Sequence, residues 1–203
     1  MNTIAKYKMC RRLGAGMFEK CQTAKYVTSA DKKTRTTTKG KRPKALSDYG
    51  TQLIEKQKVR FSYGISERQL GNYVEHATHV KGMPVTDKLY EQLENRLDNV
   101  IYRLGFAGTR RFARQLASHG HFTVNGKKST IPSQQIHVGD VIAVREGSRK
   151  SPIFTDFSTK VKDYTWPAWL KLTPEALTAE VVAKPKNDEQ FLQLDTVLEF
   201  YSR

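Results

Sequence analysis

The chain has 203 residues, 38% of them apolar, with 35 lysines and arginines against 20 acidic residues and a net charge of +15. This length fits one or two domains with a packed core, and no apolar run approaches the ~18 residues of a membrane helix. We expect neither a secretory leader nor a disulfide framework from Cys10 and Cys21, so a reducing cytoplasm is the expected location.

The positive charge is concentrated in two blocks. Residues 1–60 carry a net charge of +12 and residues 96–150 a net charge of +7, whereas residues 61–95 and 151–203 each carry −2. Such a charge indicates the kind of partner and not the fold, and nucleic acid is a commoner polyanionic partner than a lipid headgroup layer. Residues 28–44 contain one apolar residue, so we expect a basic loop there that orders on contact with a partner.

From residue 47 onwards the apolar spacing is helical. Ser47 or Asp48 is placed to cap a first helix, and residues 66–69 (SERQ) have the form of a capping box for a second. Thr86 is the predicted cap of a long third helix, which Gly105 ends because glycine readily adopts the left-handed conformation. The apolar stripe of this third helix consists of Leu89, Leu93, Leu97, Val100 and Leu104.

Thr109 is predicted to begin a shorter helix, which Gly120 closes. One face of this helix is rich in arginine. Its predicted buried face consists of Phe112, Ala113, Leu116 and Ala117.

After this helix the spacing of the apolar residues changes from that of a helix to that of strands. Asn125 and Gly126 form the dipeptide best suited to a type I′ hairpin turn, and an apolar run predicts a strand at Val141–Val144. The segment from 96 to 146 is therefore predicted to be two helices on a small sheet. Further short strands are predicted at residues 181–183 and 196–201.

Two segments resemble the bacterial small-subunit ribosomal protein S4 family. Residues 46–73 contain LSDYG, EKQK and YGISERQ, which are specific for the ribosomal protein itself. Residues 95–146, from NRLDNVIYRLG to VIAVRE, resemble the RNA-binding module for which the family is named and which unrelated proteins also carry. The closing LDTVLEFYSR resembles the family's C-terminal strand, so the resemblance covers about residues 40–203.

The resemblance implies an α+β fold in four parts. These are a basic irregular N-terminal arm (1–45), a mostly helical domain (46–94), the inserted RNA-binding module (95–150), and C-terminal strands and loops (151–203) that return to the helical domain.

The resemblance also implies a function without catalysis. The protein is expected to be a structural constituent of the small ribosomal subunit that clamps a multi-helix junction of its ribosomal RNA and nucleates assembly. Ribosomal protein S5 is an expected neighbour, no membrane partner is expected, and the stretch near Lys41 and Lys44 is expected to lie near the messenger RNA entry channel.

Basic and aromatic side chains are the candidate RNA contacts, because cations meet phosphates and A-form RNA is recognised by shape, phosphate and 2′-OH contacts. Arg110, Arg111 and Arg114 lie at spacings that place them on adjacent turns, and arginine pairs bidentately with phosphate. Tyr49 and Tyr63 are explained equally well by helix packing. The full candidate set is Arg11, Arg12, Lys41, Arg42, Lys44, Tyr49, Lys56, Lys58, Arg60, Tyr63, Arg103, Arg110, Arg111, Arg114, Gln115, His119, Lys127 and Lys128.

Neither a metal site nor a cofactor is expected. Some members of the family hold a structural zinc with four ligands in the N-terminal arm. Here only Cys10 and Cys21 are present and the first histidine is His76, so we expect no zinc and two ordinary thiols.

Catalysis is not expected either, since the chain has no HExxH, P-loop or dinucleotide-binding glycine pattern. Two alternatives stay open. One is an RNA-modifying enzyme, such as a pseudouridine synthase, that carries the same module but needs a separate catalytic domain. The other is an RNA chaperone that rescues stalled ribosomes.

Overall fold

The chain is an α+β protein that divides into two compact units. A computed structural model describes residues 6–14, 18, 21, 23, 24, 26, 46–155, 157, 164–187 and 192–202. Unit 1 comprises residues 1–75 and 188–203, and unit 2 comprises residues 76–187. In chain order the helices and strands are α1 (Lys6–Leu13), α2 (Asp48–Tyr63), α3 (Glu67–His79), α4 (Val85–Glu94), α5 (Leu97–Arg103), α6 (Arg110–Ser118), β1 (Phe122–Val124), β2 (Lys127–Ser129), β3 (Val141–Val144), α7 (Glu146–Arg149), α8 (Pro152–Thr155), β4 (Leu170–Thr173), β5 (Thr178–Val181) and α9 (Leu194–Tyr201).

In unit 1, α2 and α3 begin where their capping residues predict. Ser47 Oγ accepts a 3.2 Å hydrogen bond from the backbone N–H of Gly50, and Gly64 ends α2 with a left-handed φ of 63°. The capping box is also present. The Ser66 N–H donates to Gln69 Oε1 and the Gln69 N–H donates to Ser66 Oγ, both at 3.2 Å. Two orphan N–H groups at the start of α3 are thereby satisfied, which confirms this prediction.

The end of the chain is a helix, so the strand predicted at residues 196–201 was wrong. Leu194, Val197 and Tyr201 recur at helical spacing, and the first two are buried. The segment is rich in β-branched and aromatic residues that favour strands locally, but α9 packs along α2 and this tertiary contact overrides the local preference.

The sheet of unit 2 has five antiparallel strands in the order β2-β1-β3-β5-β4. Asn125 (φ 50°) and Gly126 (φ 77°) both lie in the left-handed region that a type I′ turn requires, which confirms the predicted hairpin. β3 joins the hairpin to β5, with Ile142 opposite Ala179. β5 ends where the strand predicted at residues 181–183 begins. The last quarter of the chain is thus divided between the two units, since β4 and β5 belong to unit 2 and α9 belongs to unit 1.

The core of unit 2 joins α5, α6 and the sheet in one apolar cluster, as predicted for two helices on a small sheet. Removing these side chains from water is the main stabilising contribution, and it fixes the helix pair on the sheet. Its fully buried members include Leu97, Ile101, Leu104, Phe122, Ile136 and Ile142.

The long helix predicted from Thr86 to Gly105 is interrupted. α4 ends at Glu94, and α5 begins at Leu97 after an extended Arg96 with φ −68° and ψ 137°. The Leu97 N–H donates to the carbonyl of Gln134 at 2.9 Å, and a neighbouring loop carbonyl accepts from the next residue. The free N–H groups of α5 therefore bond to the loop rather than to the preceding helix.

The two predicted ends of this long helix, Thr86 and Gly105, have different outcomes. Pro84 stands at the N-cap and α4 begins at Val85, so Thr86 is not the cap. Gly105 has a left-handed φ of 82°, as predicted for the end of the stripe.

Cys10 and Cys21 form a disulfide in unit 1, so the expectation of ordinary thiols was wrong. Both residues are buried together with Leu13 and Tyr26, and the Tyr26 ring stacks on the ring of Tyr7 at 5.5 Å. Two cysteines exclude a framework of several disulfides, but they allow a single bridge where local packing brings them together.

Candidate nucleic-acid interface

α6 presents its arginines from a helix whose other side is buried. The Oγ1 of Thr109 accepts a 3.2 Å hydrogen bond from the Phe112 N–H, so α6 begins as predicted. Ala113, Leu116 and Ala117 are buried against the core of unit 2. Phe112 was expected among them but is 37% exposed, because it lies at the edge of the buried stripe.

Arg103 and Arg110 meet at a buried carboxylate. Nε and Nη2 of Arg103 donate to Oε2 and Oε1 of Glu94 at 2.8 and 2.9 Å. Nη2 of Arg110 lies 3.7 Å from Oε1 of Glu94, and its Nε donates to Asn99 Oδ1 at 2.7 Å. The Arg110 guanidinium also stacks over the ring of Tyr102, 4.6 Å from its centre. Side-chain exposure is zero for Glu94 and about a fifth for each arginine.

A second buried carboxylate, Asp98, holds Arg114. Nε and Nη2 of Arg96 donate to the two oxygens of Asp98 at 3.0 and 2.8 Å, and Arg96 is itself fully buried. Nε and Nη2 of Arg114 each lie 2.9 Å from Asp98 Oδ2, while 23% of the Arg114 side chain stays exposed. Asp98 therefore forms internal ion pairs with both Arg96 and Arg114.

The other predicted residues of unit 2 lie on its surface. Arg111, Gln115 and His119 are exposed along α6 and at its C-terminal end. Lys127 and Lys128 are exposed on β2, beside the hairpin turn.

Gly120 brings the hairpin lysine close to the end of α6. It has a left-handed φ of 71°, and a Cβ at this position would overlap the Cε atom of Lys128. A side chain at this position would require the end of the Lys128 side chain to move, and glycine adopts the positive φ without strain. The cations of β2 and the C-terminal end of α6 are thus neighbours.

His121 lies beside His119, with the two ring centres 6.1 Å apart. Burial lowers the pKa of His121, and the electrostatic interactions with His119 and Arg145 lower it further. Its Nδ1 lies 3.0 Å from the Oγ of Ser148. Arg145 is exposed and was not singled out from the sequence.

The predicted cations of α2 are paired with carboxylates. Lys56 is buried, and its Nζ lies 2.7 Å from Oε1 of Glu67. Nη1 of Arg60 lies 3.0 Å from Oε2 of the same carboxylate, and Lys58 pairs with Glu55. Lys56 and Arg60 therefore link α2 to α3 through Glu67, whereas the pair of Lys58 and Glu55 lies within α2.

The remaining predicted residues of the first charge block differ in exposure. Tyr63 is 3% exposed, which fits the packing alternative for this residue. Tyr49 is 51% exposed, with its ring 5.7 Å from that of Phe200. Arg11 and Arg12 are exposed near the end of α1. The predicted residues that lie outside the described part of the chain are Lys41, Arg42 and Lys44.

Tyr201 completes the polar cluster of unit 1 by donating a 2.9 Å hydrogen bond to Glu67. Burial raises the pKa of Glu67, but the hydrogen bonds from Lys56, Tyr201 and Arg60 outweigh it, so the pKa lies below its usual value. Burial and the bond to the carboxylate raise the pKa of Tyr201 far above its usual value.

Glu94 and Asn99, which accept hydrogen bonds from Arg103 and Arg110, were not predicted from the sequence. Glu94 and Arg103 are nine residues apart and meet only because the chain breaks between α4 and α5. A helical repeat therefore gives no signal for this pair.

Two further findings concern the described residues as a group. Among them, no three histidine, cysteine, aspartate or glutamate side chains converge as metal ligands. None of the helices within this same part of the chain combines the length and the apolar character that crossing a membrane demands.

Two protein-family models match adjoining segments of this chain. Residues 95–142 match the S4 domain, and residues 2–94 match the ribosomal protein S4/S9 N-terminal domain. A relative from Heliobacterium modesticaldum is 43% identical over 202 residues, covering 97% of this chain and 96% of the relative. Relatives from Solidesulfovibrio magneticus (43%, covering 99% and 98%) and Roseiflexus sp. strain RS-1 (44%, covering 97% and 96%) are equally similar. All three are named small ribosomal subunit protein uS4.

The fold and these matches define a chain of the S4-domain class, with two helices on a small sheet preceded by a helical region. More specifically, the chain belongs to the ribosomal protein S4 family. This family is structural and non-enzymatic, so the RNA-modifying enzyme is not favoured.

Proposed function

We propose that this chain is a structural constituent of the small ribosomal subunit and binds small-subunit ribosomal RNA directly. The chain covers nearly the full length of relatives named small ribosomal subunit protein uS4, which supports its assignment to the small subunit. The observation that carries RNA binding is the set of three partly exposed arginines, Arg103, Arg110 and Arg114, on one face of unit 2.

The geometry supports phosphate recognition. Three guanidinium groups held on two adjacent helices match the spaced phosphates of a folded RNA better than flexible lysines do. Exposed Arg111 and the neighbouring Lys127 and Lys128 extend the positive surface. Each phosphate neutralised releases counterions, which contributes most of the affinity.

The finer parts of the proposal concern the setting of the protein in the subunit. We propose that the helical region and the RNA-binding module clamp a multi-helix junction and that binding occurs early in assembly. Ribosomal protein S5 is the proposed neighbour, the basic arm with Lys41, Arg42 and Lys44 is proposed to lie near the messenger RNA entry channel, and the proposed location is cytoplasmic.

A binding experiment tests the RNA-binding proposal. The affinity of the full chain for a small-subunit ribosomal RNA transcript is measured against a large-subunit transcript of equal length, at several salt concentrations. We expect a preference for the small-subunit RNA and a logarithmic salt slope of roughly −0.7 to −0.9 per phosphate contacted. Equal affinity for both RNAs, or a flat salt dependence, would contradict the proposal.

A sedimentation experiment separates a structural constituent from the rescue chaperone. We expect the protein to sediment with intact small subunits in a one-to-one ratio that survives moderate salt. A chaperone would instead be substoichiometric and would leave mature subunits.

A further inference from the structure

Two buried carboxylates, Glu94 and Asp98, lie beneath the exposed arginines of unit 2. We propose that they are positioning residues, which fix Arg103, Arg110 and Arg114 in one arrangement before RNA binds and thereby determine which RNA fold is preferred. The inference rests on the proposed function and deepens it, since it concerns selectivity rather than attraction.

The bonding pattern supports a fixed arrangement. Glu94 accepts two hydrogen bonds from Arg103, and both of its oxygens are used. Arg110 is fixed from two sides, by the 2.7 Å bond to Asn99 and by the ring of Tyr102. Asn99 is itself anchored, because its Nδ2 donates to the backbone carbonyl of Glu94 at 3.0 Å. The arginines are therefore held by groups that are rigid in the fold.

The energetic advantage is one of pre-organisation. A free arginine side chain loses rotamer freedom when it binds a phosphate, and this loss weakens binding. Here Arg103 and Arg114 lose that freedom on folding, through paired bonds to Glu94 and Asp98. An RNA whose phosphates match the arrangement gains the full interaction, whereas an RNA with another spacing does not.

The sign of the charge distinguishes this idea from plain electrostatic attraction. Glu94 and Asp98 lower the net positive charge of the surface, so a surface that only attracted RNA would bind better without them. If they position the arginines, removing a carboxylate charge lowers affinity for the matching RNA even though the protein becomes more positive. A purely stabilising role predicts a change in unfolding alone.

The decisive variant is Glu94→Gln, which keeps the shape and removes one negative charge. In the full chain we expect the affinity for the small-subunit ribosomal RNA transcript to fall about tenfold, while the affinity for the large-subunit transcript stays equal or rises. Asp98→Asn is expected to give the same loss through Arg114.

Glu91→Gln is the matched control. Glu91 lies on the same helix, is largely buried, and pairs with Lys88 and Lys184 at 3.2 and 3.9 Å rather than with the arginines. It makes the same change in net charge, and we expect it to leave the preference between the two RNAs unchanged.

The outcomes separate this inference from the proposed function. If the unmodified chain shows no preference for the small-subunit RNA, the proposed function fails. If it shows the preference and a folded Glu94→Gln keeps it, only the positioning inference is overturned. If Glu94→Gln is unfolded at the assay temperature, Arg110→Lys is the deciding variant. Lysine keeps the positive charge but lacks the planar guanidinium that bonds to Asn99 and stacks on Tyr102. An unchanged preference in Arg110→Lys would overturn the inference, and a reduced one supports it.

Discussion

The hydroxyl of Tyr201 donates a 2.9 Å hydrogen bond to Oε1 of Glu67, across 134 positions of the chain. Glu67 stands in the first turn of α3 and also accepts from Lys56 and Arg60. The bond therefore ties the last helical residue of the chain to the polar cluster on α2 and α3. It makes the C-terminus part of the packing of unit 1.

Replacing Tyr201 with phenylalanine tests this tie. The ring stays in place and the hydrogen bond is lost, so we expect a loss of about 1 kcal/mol of unfolding free energy, measured in urea. Tyr49→Phe is the control, because Tyr49 is half exposed and also packs on Phe200. An equal loss in both variants would show that the bond to Glu67 adds nothing.

The lowered pKa of Asp140 predicts that the protein loses stability in acid. Burial raises the pKa of Asp140, but bonds from the His137 N–H and from Asn125 Nδ2, both 2.7 Å, outweigh it and hold the pKa below 3.8. A depressed pKa means that the stabilisation is present above the unfolded value of 3.8 and disappears as the pH falls through the folded value.

The variant Asp140→Asn checks this dependence. We expect it to be about 1 kcal/mol less stable than the unmodified chain at neutral pH, with the difference shrinking in acid well below pH 3.8. Urea unfolding at both pH values measures it, with the exposed Glu175→Gln as control. A difference that persists unchanged in acid would show that the charge of Asp140 is not the cause.

Arg111 and Arg114 are expected to separate RNA binding from stability. If the arginines of α6 were all exposed, alanine at each would weaken RNA binding without changing the melting temperature. The structure keeps that expectation for exposed Arg111. Arg114→Ala removes a partner from buried Asp98, so we expect it to lower stability by about 1–3 kcal/mol as well.

Thermal unfolding and titration with the small-subunit RNA, made on both variants, check this pair. Both are expected to bind RNA more weakly, and only Arg114→Ala is expected to melt earlier. Identical melting temperatures would show that the ion pair with Asp98 contributes little to the fold.

The disulfide between Cys10 and Cys21 predicts a response of unit 1 to reductant. A loop of this length gives about 2–3 kcal/mol of stabilisation from the restricted unfolded chain. We expect reductant to increase hydrogen exchange in α1 of the unmodified chain and to have no effect on Cys10→Ser. Alkylation after denaturation without reductant should label neither thiol. Two labelled thiols in the freshly isolated protein would contradict the bridge.

Features set by a few neighbouring residues were predictable from the sequence. The reciprocal bonds of Ser66 and Gln69 and the turn at Asn125 and Gly126 depend on residues no more than three positions apart. The two helices on a small sheet within residues 96–146 followed from such local rules together with the periodicity of the apolar residues.

Features set by contacts between distant segments were not predictable. The helix at Leu194–Tyr201 depends on α2, and the break before Leu97 depends on carbonyls near Gln134. The arginines of the candidate site were found by composition and spacing. Their carboxylate partners were missed because Glu94 and Arg103 meet only after the chain has turned.

The division of unit 1 between the two ends of the chain sets an order of events during synthesis. All of residues 76–187 emerge before residues 188–203, so unit 2 has its whole sequence available while α2 still lacks α9. Domains fold as units while the chain is being made. Unit 2 can therefore be native in a nascent chain, and unit 1 is completed only once residues 188–203 have emerged.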